Sequence, residues 1–139
     1  MNKTILTVAL LAGLSIPTFA TVETEPETTV SSEKATIHLY RTKSLYWSGY
    51  QLKVFADGNK VKLKNKGYHQ IEVEPGTTEI YIKDIGRATI PLEVEAGNDY
   101  YVQAYLKRSF FWSIPKLAEV TPRFGKQQIN NLKKKKSNN

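Results

Sequence analysis

The chain has 139 residues, no cysteine, and a formal charge of +7 from 20 Lys/Arg against 13 Asp/Glu. Without thiols there is no disulfide framework, no thiol catalysis, no cysteine metal site and no lipid attachment through a lipobox cysteine. The length suits one modest domain, and the surplus of bases favours anionic partners.

Residues 1–20 read as a cleaved secretory signal. Lys3 supplies a basic start, residues 5–16 are apolar, and Thr18-Phe19-Ala20 resembles a small-residue cleavage site. The apolar run is shorter than the about 20 residues of a membrane span, so the mature chain is expected to carry no transmembrane segment. With a Lys/Asn-rich composition, this points to a bacterial periplasmic or secreted protein. Residues 21–33 are Thr-rich, carry four glutamates and no base, and read as a flexible acidic linker. Residues 123–139 hold six bases and no acid, four of them in the run Lys133, Lys134, Lys135 and Lys136. They are expected to form a basic, mostly disordered tail, with at most a helical turn over 127–132.

Between them, residues 34–122 alternate like short strands. Ala35, Ile37 and Leu39 share one face of the first, with His38 opposite and expected to face solvent. Residues 51–83 read as four strands joined by turns. Leu52, Val54 and Ala56 lead to Asp57-Gly58, a pair that tolerates the positive φ of a tight hairpin. Val61 and Leu63 alternate with lysines; Ile71 and Val73 alternate with Gln70, Glu72 and Glu74 before Pro75-Gly76; Ile80 and Ile82 follow. His69 shares parity with Ile71 and is expected to be half-buried. A sixth strand carries Ala88, Ile90, Leu92 and Val94, with Pro91 marking an edge strand or bulge. Val102, Ala104 and Leu106 mark a seventh, and a last is expected near 116–121. About 7–8 short strands without a long helix favour a small antiparallel β-sandwich of the all-β class, with a closed barrel as the other solution.

The order Leu39-Tyr40-Arg41, Val54 to Gly58, Gly67-Tyr68, Glu74-Pro75-Gly76 and Ala96 to Val102 resembles a bacterial exported family, domain of unknown function 2846. More loosely, the chain is similar to PEGA-type domains and to transthyretin-like or carboxypeptidase-regulatory-like sandwiches. The resemblance covers about residues 34–122 and implies a sandwich fold; it implies no catalytic residue. Many members look like lipoproteins, and this chain departs from them in lacking the cysteine.

Enzymatic chemistry is not expected. The two histidines lie in strands, and no Gly-x-Ser-x-Gly elbow, His-Glu-x-x-His helix or glycine-rich phosphate loop occurs. Glu72 and Glu74 share a face but read as a solvated acidic surface rather than a glycosidase pair. Catalytic residues, metal and cofactor are therefore all expected to be none; the acidic turns lack calcium-loop spacing.

If successive strands run antiparallel, the connections after strands 1, 3, 5 and 7 gather at one end. That end collects Arg41, Arg87 and Arg108 with Tyr46, Trp47, Tyr50, Phe111 and Trp112, beside Leu45, Phe110 and several lysines. The rings either fold back to cap the core or stay exposed as a binding platform among bases. The second reading makes the chain a binding or accessory module at the cell envelope. Its partner would be an anionic glycan or lipid headgroup, with Lys133 to Lys136 adding attraction to an anionic surface. The alternative is a structural domain that docks onto an envelope protein through a sheet edge. Nucleic acid is not favoured for an exported chain.

Overall fold

The computed structural model describes residues 33–137. The expected signal, and the expected linker except Glu33, lie outside the described residues. Eight strands follow in order: β1 (Ala35–Tyr40), β2 (Leu52–Ala56), β3 (Asn59–Leu63), β4 (Tyr68–Val73), β5 (Gly76–Ile82), β6 (Ala88–Val94), β7 (Asp99–Arg108) and β8 (Ser113–Val120). They form two four-stranded sheets, ordered β4-β1-β7-β8 and β3-β2-β5-β6. The fold is an all-β sandwich.

Alternation along each strand supplies the core. Ile37 and Leu39 of β1, Leu52 and Val54 of β2, Ile80 and Ile82 of β5 and Val102 of β7 are fully buried in one cluster. Asp57 and Gly58 both take positive φ, 47° and 71°, which is the backbone of a type I′ turn closing β2 onto β3. Pro91 sits on β6, an edge strand, where its missing N–H removes no interior ladder bond.

Chain neighbours are not always sheet neighbours. After the β2–β3 hairpin, β4 joins the other sheet beside β1, with Ile71 opposite Ile37, and β5 returns to pair with β2. Residues 51–83 are thus one hairpin and two crossings rather than a continuous meander. β1 and β7 lie side by side and parallel, Ile37 opposite Tyr100 and Leu39 opposite Val102. The alternating direction of successive strands makes this necessary, since both odd-numbered strands point the same way.

The expected disordered tail is a correction. Helix α1 (Pro122–Ser137) forms directly after β8. Pro122 opens it where a missing N–H costs nothing, and the Gly125 N–H donates to the Thr121 carbonyl at 2.9 Å. Gly125, Ile129 and Leu132 recur at helical spacing and give one narrow apolar face. That face covers the outer side of the first sheet, where Tyr40, Tyr101 and Ile129 form a second small core with Tyr68, Val120 and Leu132 around it. Lys134, Lys135 and Lys136 of the lysine run sit in the last turn of α1, where cations complement the negative end of the helix dipole.

The expectations for both histidines are corrected, that for His38 by the helix and that for His69 by its place on edge strand β4. His38 lies on the covered face, stacked 4.5 Å from the Tyr101 ring and hydrogen-bonded through Nδ1 to the Tyr68 hydroxyl and Nε2 to Asp99 at 2.8 and 3.0 Å. His69 is exposed.

Candidate functional site: an aromatic tip and its basic border

The four connections expected at one end of the sandwich are tied to one another. Residue 44 in the long β1–β2 loop and residue 65 in the β3–β4 turn exchange two bonds. The Ser44 N–H donates to Asn65 Oδ1 at 2.8 Å, and Asn65 Nδ2 donates to the Ser44 carbonyl at 2.9 Å. The Tyr50 hydroxyl donates to Asp84 in the β5–β6 turn, and Lys53 Nζ joins the same carboxylate at 3.1 Å. In the same turn, Gly86 passes so near Pro115 that a Cβ would lie 2.9 Å from the ring. From the β7–β8 hairpin, Arg108 places its guanidinium 4.9 Å over the Tyr46 ring.

Arg41 anchors the long loop from within. It is buried, and its two terminal nitrogens donate to the Tyr50 carbonyl at 2.5 Å and the Trp47 carbonyl at 3.0 Å. Burial pulls its pKa below the usual arginine value. Arg41 therefore supports the site without being available to a ligand, which corrects its expected binding role. Sequence shows a base in a loop; only the packed structure shows that the loop wraps around it.

With its carbonyl held, Trp47 adopts φ 60°, a left-handed conformation that costs a bulky residue about 1–2 kcal/mol. Tyr50 meets the Trp47 ring edge-on, 6.1 Å between centroids. Burial, then the bond to Asp84, pushes the Tyr50 pKa up to about 12. The Tyr50 and Lys53 hydrogen bonds hold the Asp84 carboxyl below the usual carboxylate range. Tyr50 thus braces the loop, half-buried beneath it.

The remaining rings are open. Phe110, Phe111 and Trp112 are 94, 84 and 65% exposed, and across from them Leu45, Tyr46 and Trp47 are 80, 61 and 50% exposed. The hairpin tip is tight, closed by a 2.8 Å bond from the Ser109 N–H to the Trp112 carbonyl. Tyr46, Trp47, Arg108, Phe111 and Trp112 line one shallow cleft of about 180 Å³. Of the expected site residues, these five come together. Arg87 does not join them: it lines a separate groove with Glu79, Tyr81 and Lys83. Capping of the core, the competing expectation for these rings, does not occur for Trp47, Phe110, Phe111 or Trp112.

A second feature at this end was not foreseen. Where α1 ends, Lys133 and Lys136 approach Lys62, Lys64 and Lys66 around a groove of about 450 Å³ whose apolar lining includes Leu132. Lys133 Nζ lies 5.0 Å over the Tyr68 ring. The Tyr68 pKa is raised, first by burial and then by the charge of Asp99. The signal available in sequence was Thr121-Pro122 followed by the 125, 129, 132 spacing, masked by the lysine run.

Among the described residues no cluster of three or more His, Asp or Glu has the arrangement of a metal site, and no helix is long and apolar enough to cross a membrane. A family model described as "Protein of unknown function (DUF2846)" matches residues 31–113. The chain belongs to that family. The match ends at the first residue of β8, so the rest of β8 and all of α1 fall outside the part that defines this DUF2846 member. No curated protein matches the chain.

Proposed function

We propose that this protein is a non-catalytic accessory module of the cell envelope that docks on an anionic lipid surface through its aromatic tip. The observation that carries the reading is the exposure of three consecutive rings, Phe110 to Trp112, at the extreme of a tight hairpin beside a second exposed apolar loop. Contiguous exposed apolar surface of this kind marks an interaction site. Phe110 and Phe111 have no polar handle and gain free energy only by leaving water, about 1.5–3 kcal/mol each when fully buried. Trp47, Trp112 and Tyr46 suit the headgroup level, where amphipathic rings concentrate. Arg108 lies over Tyr46, and the exposed Lys107 and Lys43 stand in the strand and loop leading to the rings; together they supply the electrostatic second signal that stable surface anchoring needs.

A lipid surface fits better than a glycan. Phe111 is tilted 59° from Phe110 and 46° from Trp112, so the rings form a convex wedge rather than a flat stacking platform. Docking through a sheet edge fits less well still. Edge β3 carries exposed Lys60 and Lys62, edge β6 carries exposed Pro91, and both tryptophans are open. Reading residues 1–20 as an export signal belongs to the same proposal, because it delivers the chain to the outer membrane–water interfaces of a bacterium.

The test is sedimentation of the protein, purified as cells process it, with phosphatidylcholine vesicles with and without phosphatidylglycerol. We expect salt-sensitive binding and a blue shift of tryptophan emission on the anionic vesicles. Replacing Phe110, Phe111 and Trp112 together by Ser should abolish both while the melting temperature stays within a few degrees. Undiminished binding by that folded variant would overturn the reading.

A further inference from the structure

The geometry points to a second, selective site beside the tip: the groove between β3 and the end of α1 takes a lipid headgroup carrying two closely spaced phosphates. The inference rests on the reading of the tip as a bilayer contact and adds to it which headgroup is chosen. The lysines fall into two banks. Lys62, Lys64 and Lys66 come from β3 and the turn after it; Lys133 and Lys136 come from the last turns of α1, and no acid lines the groove. Its volume, about 450 Å³, is far larger than one phosphate group. Lysine ammoniums meet phosphate as mobile point charges, so two banks suit two phosphates, and the apolar side chain of Leu132 suits the carbon skeleton joining them.

The groove is also tied to a loop of the tip. Asn65 stands between Lys64 and Lys66, and its paired bonds with Ser44 fasten this turn to the loop that displays Leu45, Tyr46 and Trp47. Lys66 itself is held at φ 59°, and the neighbouring Gly67 is required because a Cβ there would lie 2.7 Å from the Lys64 carbonyl oxygen. The backbone is thus strained where the lysine is presented. Basic pockets at membrane surfaces recognise multiply charged headgroups in this way.

The test compares two phosphatidylcholine vesicles of equal surface charge. One carries cardiolipin, with two phosphates in one headgroup; the other carries twice the mole fraction of phosphatidylglycerol, with one. We expect about tenfold tighter binding to the cardiolipin vesicles. The Lys62→Gln/Lys133→Gln variant should lose that preference while keeping its binding to phosphatidylglycerol within about fivefold. Lys66→Gly, which relieves the strained backbone and so folds at least as well, should weaken the preference too. Equal binding to the two vesicles, or a preference that survives these substitutions, would overturn the inference and leave the tip reading standing. Binding of soluble tripolyphosphate or a single-stranded oligonucleotide with no binding to either vesicle would overturn both.

Discussion

Two clusters of aromatic side chains at opposite extremes of burial have opposite fates. Tyr40, Tyr68 and Tyr101 lie on the outer face of the first sheet, where α1 covers them and Tyr40 and Tyr101 are buried. Trp47 and Phe110 to Trp112 lie at the loop end, where nothing in the described chain covers them. Residue type runs against burial, since the covered rings are tyrosines and the open ones are the more apolar Phe and Trp. What separates them is that the chain contains an apolar helix face shaped for the first cluster, whereas the Arg41 and Ser44–Asn65 bonds hold the Trp47 loop out and the Ser109–Trp112 bond closes the hairpin that carries Phe110 to Trp112. Display at the tip is built rather than left over, and that is why it supports a binding role.

The comparison breaks most severely at Arg41. Arg41→Met should cost about 2–4 kcal/mol, because two loop carbonyls lose charge-assisted donors. Urea unfolding would measure the loss, and vesicle binding should fall with it as the displayed loop collapses. At the covered cluster the corresponding change is Gly125→Ala. Its Cβ would meet Tyr101 ring carbons at 2.4 Å. The substitution favours an isolated helix by about 1 kcal/mol, yet the overlap should destabilise the protein by about 1–3 kcal/mol. Hydrogen exchange should show α1 opening before the sheets do.

A smaller effect tests the brace under the tip. The folded Tyr50 pKa, about 12, lies above the ordinary tyrosine value of 10.0. Burial first and the Asp84 bond second favour the neutral phenol, so on the alkaline side the folded state holds its full advantage below pH 10 and loses it as pH rises towards 12. Absorbance titration should find Tyr50 among the late tyrosines of the folded protein, beside the covered Tyr40, Tyr68 and Tyr101 that burial also raises, and Asp84→Asn should bring Tyr50 down while leaving those three unmoved. Asp84 has the opposite sign: its depressed pKa adds stability above the ordinary carboxylate range that is lost on acidification. The smallest effect is expected at Tyr40. Its buried hydroxyl has no hydrogen-bond partner among the described residues, so Tyr40→Phe should alter stability by less than about 1 kcal/mol, in the stabilising direction.

Much of this molecule could be read from residue order. Alternation assigned the inward apolar residues of the first seven strands, though not the exposure of His69, since a strand exposes its side chains with period two whatever lies beside it. The Asp57-Gly58 turn and the edge position of Pro91 followed from local backbone chemistry. Strand parity also brought Tyr46, Trp47, Arg108, Phe111 and Trp112 to one end. Three things needed the tertiary structure. Sheet membership did, because β4 buries the same face whichever sheet it joins. So did the fate of Arg41, because a base in a loop becomes a buried anchor only when the loop closes around it. So did the helix at residues 122–137, because its three-residue apolar face is too weak to hold a helix in water. It holds only against Tyr40 and Tyr101, which sequence leaves more than 20 positions away.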